Sequence, residues 1–139
     1  MIREFSAGGV CVRRMRGRDF VAAVRVKGGT VLALPKGHID AGETSAEAAA
    51  REVREEAGVT GELVEKLGDV RYWYRRDGQR VMKNVAFFLF RYRSGSVADH
   101  DHEVDSAEWV PLEDAPRLLA YRGERDMASA ALSALGSAR

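Results

Sequence analysis

A chain of 139 residues has room for one domain of ordinary size. Its composition, 45% hydrophobic and 31% charged, excludes wholesale disorder and supplies enough apolar material for a core without disulfides or structural metal. With 22 Lys and Arg against 21 Asp and Glu, a net charge of +1 offers no whole-molecule field for nucleic acid or an anionic membrane.

In chain order, residues 2–13 and 20–26 are rich in Val and Ala with charged interruptions and predict two strands, joined by a polar loop around Gly17. Cys11, the single cysteine, lies in the apolar run Gly9-Val10-Cys11-Val12 and reads as a buried, inert thiol. Gly28-Gly29 marks a tight turn, residues 31–34 a short strand ended by Pro35, and residues 36–43, with two glycines and no periodicity, a structured loop.

At Thr44 the pattern changes to a helix, with Glu47 three residues on completing a capping box and Gly58 placed for a left-handed C-terminal cap. Ala49, Val53 and Ala57 recur every four residues and give it one buried stripe. Residues 63–76 and 80–92 predict two long strands around the hairpin dipeptide Asp77-Gly78, the second covered on both faces where 85–90 is continuously apolar. A polar loop over 94–105 leads to a short strand at 108–110. Residues 112–135 are helical with breaks near Pro116 and Gly123, and 127–135 form an amphipathic closing helix. The elements predict a mixed sheet with helices on two faces, α/β or α+β. No apolar run approaches the roughly 18 residues of a membrane span, and residues 1–5 carry charge where a signal peptide needs an apolar stretch. A single-domain cytoplasmic protein is expected.

Glu52, Glu55 and Glu56 stand at i, i+3 and i+4 on the bounded helix, so their carboxylates share an arc of roughly 100 degrees. Repulsion among them is relieved by a hard divalent cation such as magnesium or manganese. The alternative is a solvated acidic helix face. The flanking residues decide between the two: Gly37, five residues, Glu43, seven residues, then Arg51-Glu52-Val53-Arg54-Glu55-Glu56-Ala57-Gly58-Val59. That resembles the Nudix box, G-x5-E-x7-R-E-U-x-E-E-x-G-U with U a bulky aliphatic residue, over 37–59, and every fixed position matches.

The resemblance implies a Nudix-type α/β/α sandwich, with a mixed central sheet flanked by helices, as one domain over 1–139. It also implies a metal-dependent hydrolase in which an activated water attacks a nucleoside-diphosphate-linked polyphosphate. Magnesium or manganese would be held by the Gly37 carbonyl, Glu52, Glu55, Glu56 and, from the loop ahead of Trp109, Glu103. Glu43 and Arg51 look like an internal ion pair that supports the box. Which glutamate acts as general base is left open, because family members differ.

Charge is also partitioned. Residues 37–59 carry six carboxylates against two arginines, whereas 71–93 carry seven basic side chains, Arg76 and Lys83 among them, against one aspartate. An acidic metal site beside a basic strand pair suits a polyphosphate. Leu34-Pro35-Lys36-Gly37-His38 resembles the LPKGH sequence common in diadenosine polyphosphate hydrolases, and Lys36 adds a cation beside the metal site. Tyr74 resembles the tyrosine those members carry beyond the box, as a platform for adenine, and Lys83 the lysine they place on phosphate. Lys36, Tyr74, Arg76 and Lys83 are the expected substrate-binding residues. A dinucleoside polyphosphate is therefore the expected substrate. The alternatives are a MutT-like nucleoside triphosphate pyrophosphohydrolase or another hydrolase of a nucleoside diphosphate linked to some other group, and a non-catalytic nucleotide-sensing or RNA-binding member of the fold. No membrane partner and no nucleic-acid partner are expected, and the protein would be a monomer or homodimer.

Overall fold

The computed structural model describes residues 1–137. Two-residue turns set two of its antiparallel pairings. Arg16 and Gly17 (φ 52° and 75°) reverse the chain between β1 (Ile2–Met15) and β2 (Arg18–Val26), and Asp77 and Gly78 (φ 52° and 76°) do so between β5 (Val59–Arg76) and β6 (Gln79–Gly95). Both positions of each turn lie in the left-handed region, where the backbone twist matches that of the strands it joins and where glycine carries no Cβ penalty. The sheet runs β3 (Val31–Ala33), β2, β1, β6, β5, with β7 (Ser106–Pro111) paired to β2. β1 and β6 are parallel from Ile2 opposite Val81 to Val12 opposite Arg91, and the remaining pairs are antiparallel.

The predicted loop over 36–43 opens instead with a strand, β4 (Lys36–His38). Its residues face Ser6, Ala7 and Gly8 of β1, and this pairing overrides a segment whose own sequence shows no alternation. The edge of β1 away from β6 is thus shared, by β4 near its start and by β2 near its end. β5 also begins directly after the helix, and register shifts near Gly61 and Gly68 let its 18 residues follow β6.

Alternation along β6 splits the core as the apolar run requires. Val85, Phe87 and Leu89 pack with Ala128 and Ala131 of α3 (Arg122–Ser137), while Ala86, Phe88 and Phe90 pack with Ala48, Ala49, Val53 and Ala57 of α1 (Ser45–Ala57). One helix covers each face of the mixed sheet, and a single turn, α2 (Ala115–Leu118), leads into the last helix. Cys11 is fully buried, and burial pushes its thiol up to about 12, the inert state expected of it. Among the described residues, no helix is long and apolar enough to cross a membrane.

α1 carries its predicted caps. Thr44 accepts from the Glu47 amide, Glu47 accepts from the Thr44 amide, and Gly58 closes the helix at φ 77° with its N–H on the Arg54 carbonyl. Thr44→Ala should cost about 1 kcal/mol of stability in a urea titration, with the slope unchanged.

Candidate active site

The cleft forms where α1 passes β4. Glu52 and Glu56 project from the helix toward that strand, and the Lys36 amide donates to Glu56 Oε1 at 2.9 Å. Gly37 lies so close to Glu52 that any Cβ there would overlap the Glu52 carboxylate, which explains the glycine without appeal to its φ. Glu55 and Glu103 line the same cleft, whose volume is about 490 Å³. Glu103 is positioned by its loop: the Asp101 amide donates to the Glu55 carbonyl at 2.8 Å, the Glu103 amide donates to Asp101 Oδ1 at 3.1 Å, and Val104 is buried.

Burial raises the carboxyl pKa of Glu52, although Arg51 beside it opposes the change. Glu56 is pushed up to about 7, first by burial and further by the charges of Glu52 and Asp101, against the Lys36 amide. Glu52 and Glu56 thus place their carboxyls against one wall of the cleft, where burial disfavours the negative charge.

Arg51 restrains that charge and ties the box together. Its Nε and Nη2 meet Glu43 at 2.7 and 3.0 Å, its Nη1 meets Glu52 at 2.7 Å and Glu55 at 3.2 Å, and its Nη2 reaches the His38 carbonyl at 2.9 Å. The expected Glu43–Arg51 pair is therefore bidentate and anchors the loop after β4 to the helix. The guanidinium holds the Glu43 carboxyl down at about 2. An acid with a lowered folded pKa contributes stability above its unfolded pKa and loses that contribution as pH falls through the folded one. The melting-temperature gap between wild type and Glu43→Gln should accordingly be full at pH 7 and close as pH falls from about 4.5 toward 2.

Lys36 and Lys83 both line the acidic cleft. Lys83 is half-buried, its ammonium makes no hydrogen bond among the described residues, and burial pushes its pKa down. Lys36 is engaged: Nζ lies 2.6 Å from Glu124 Oε2 and 5.2 Å from the centre of the Tyr121 ring. Tyr74 gives its hydroxyl to Glu4, and Arg76 sits on the same carboxylate at 3.4 Å, so neither borders the cleft. Strand alternation puts Tyr72 on the same face as Tyr74, and it is Tyr72 that reaches a cavity wall.

That second cavity, about 790 Å³, lies between α3 and the β5–β6 pair, with an apolar floor of Val70, Val85, Phe87 and Met127 and with Tyr72 and Tyr121 as aromatic walls. Lys36, Tyr121 and Glu124 were not grouped by any sequence pattern. Glu124 stands in the first turn of a helix, where an acid ordinarily complements the dipole, so nothing local marks it as the partner of a residue 88 positions away.

The glutamate carboxylates are hard oxygen donors on one cleft, and they suit a hard divalent cation. Among the described residues, no three carboxylate or imidazole groups converge into a ready-made cage. Arg51 draws on Glu52 and Glu55, and the Lys36 amide holds Glu56. The raised pKa values and the absence of a Cβ at Gly37 fit a cation at this place.

A family model described as NUDIX domain matches residues 3–131. The putative mutator protein MutT4 of Mycobacterium tuberculosis (strain CDC 1551 / Oshkosh) is 40% identical over 136 residues, which cover 94% of this chain and 55% of that protein. The asymmetrical bis(5'-nucleosyl)-tetraphosphatase of Caenorhabditis elegans is 32% identical over 87 residues, 63% of each chain. The chain thus spans a little over half the length of these relatives. Its fold is that of a C. elegans Ap4A hydrolase crystal structure, a binary complex, with TM-score 0.71 and 24% identity over 98% of this chain and 99% of that one.

Proposed function

Because the chain belongs to the NUDIX family, we propose that it hydrolyses the phosphoanhydride chain of dinucleoside polyphosphates with magnesium or manganese. The observation that carries this reading is the junction of the two cavities: Lys36 and Tyr121 line both the acidic cleft and the aromatic cavity. A nucleoside between Tyr72 and Tyr121 would thereby lead its phosphates past Lys36 to the glutamates.

Glu52, Glu55, Glu56 and the Gly37 carbonyl would hold the cation, which would supply a Lewis acid that neutralises phosphate oxygens and lowers the pKa of water. Arg51 keeps Glu52 and Glu55 from spreading apart, and the Lys36 amide aims Glu56. Glu103, whose carboxylate has no hydrogen-bond partner among the described residues, is free to take the proton of the attacking water. Lys83 brings a desolvated ammonium that a phosphate oxygen would re-solvate and pair.

The mutator-type relative, at 40% identity over 94% of the chain, favours a second reading, a nucleoside triphosphate pyrophosphohydrolase. Product analysis with diadenosine tri- and tetraphosphate, ADP-ribose, nucleoside triphosphates and capped RNA decides between them. The proposal expects the highest kcat/KM on a dinucleoside polyphosphate; preference for a nucleoside triphosphate selects the second reading, and cleavage of ADP-ribose alone refutes both. In the same panel Lys83→Ala should lower kcat/KM about tenfold on the tetraphosphate, as one charge-assisted contact of roughly 1.5 kcal/mol implies. It should change ADP-ribose hydrolysis little, whereas a uniform loss would make Lys83 a support of the fold or the metal site.

A further inference from the structure

Glu124 is a carboxylate only 3% exposed, outside the box and unused in the chemistry above. A buried carboxylate is tolerated when it is paired and hydrogen-bonded, and both its oxygens are: Oε1 accepts from the Leu34 amide at 2.7 Å and Oε2 meets Lys36 Nζ at 2.6 Å. Its own place is fixed by the start of α3, where Gly123 packs so closely on Val70 of β5 that any Cβ would overlap it. The segment it grips is pinned from two further sides, because the Pro35 carbonyl accepts from the Gly9 amide at 3.1 Å and the Lys36 amide donates to Glu56.

The consequence concerns the lysine. Lys36 stands on a flexible stem at the edge of a cleft lined by Glu52, Glu55, Glu56 and Glu103. An ammonium free to move would be drawn onto those carboxylates and would occupy the place of a cation. Instead one of its donors is taken by Glu124 and the charge rests over the Tyr121 ring, 5.2 Å from the centroid, with donors left for a phosphate at the junction of the cavities.

We propose that Glu124 is a positioning residue that holds the Lys36 ammonium away from the glutamates, keeping the acidic cleft open to a divalent cation. The inference rests on the reading of that cleft as the metal and polyphosphate site. Glu124→Gln is the informative variant, because the amide retains an acceptor for the Leu34 N–H while the charge that restrains Lys36 is lost.

Manganese binding to the substrate-free protein, followed by calorimetry, tests it. Glu124→Gln should weaken manganese about tenfold, and Lys36→Met added to Glu124→Gln should restore affinity to within twofold of wild type. A merely structural role for Glu124 would leave the double variant as weak as the single one. Lys36→Met alone gives a reading that does not depend on the folding of Glu124→Gln: affinity should stay within twofold of wild type, because the lysine is already held off the cleft. The proposal is overturned if Glu124→Gln binds manganese normally, if the double variant stays weak, or if Lys36→Met alone tightens binding tenfold. A wild type that binds manganese in this pattern but cleaves no nucleotide of the panel would refute the proposed function and leave the positioning role standing; a wild type that binds none would refute both.

Discussion

Glu52→Gln and Glu56→Gln should each lower kcat by about a hundredfold or more while the protein remains folded. Glutamine keeps the shape of either side chain and removes the charge that a cation requires. Burial already raises the pKa of both groups, Glu56 to about 7 against an ordinary 4.5. An acid whose pKa is raised on folding adds stability below its unfolded pKa, and that contribution is lost as pH rises through the folded value. At pH 8 without metal, Glu56→Gln should therefore melt no lower than wild type, since it escapes the burial of a charge. Loss of activity with an unchanged or higher melting temperature separates a metal-binding carboxylate from a structural one. Unchanged turnover in either variant would remove that glutamate from the metal site.

Arg51→Ala should lower stability and activity together. The side chain, 19% exposed, serves four carboxylates, Asp40, Glu43, Glu52 and Glu55, and the His38 carbonyl, and its removal leaves Glu52 buried and unpaired. The loss expected is roughly 2–4 kcal/mol, measured by chemical denaturation, because a charged network partner is deleted and desolvated acceptors remain. Activity should fall by tenfold or more even where the variant is fully folded, since the end of β4, the strand that carries Gly37, and the loop after it lose their tie to α1. A variant of wild-type stability that is inactive would place Arg51 directly on phosphate.

The contrast between Arg51 and Lys36 shows what was legible in the sequence. Arg51, Glu43 and the three helix glutamates lie within one loop and one helix, so their spacing alone brings them together, and the caps at Thr44 and Gly58 bound that helix. The continuous apolar run of β6 likewise announced helices on both faces of the sheet, which α1 and α3 supply. β4 was not legible, because a three-residue strand around Gly37 is decided by its pairing with β1 and by no property of its own. Neither was the partner of Lys36. Charge and motif mark it as a phosphate-facing cation, but its restraint by Glu124 depends on how α3 docks across β5, a contact between distant parts of the chain. Tyr74 and Tyr72 differ for a comparable reason: alternation puts both on one face, and only the position of α3 makes Tyr72 the cavity wall while Glu4 takes the hydroxyl of Tyr74.

Hydrolysis of diadenosine tetraphosphate in ¹⁸O-labelled water, with magnesium and after its removal by chelation, tests most directly whether the glutamate cleft directs water onto phosphorus. The expected result is one labelled oxygen on a phosphate of one product when magnesium is present, and no turnover after chelation until the metal is restored. Sustained turnover in the chelated enzyme, or products that carry no label on phosphate, would contradict it.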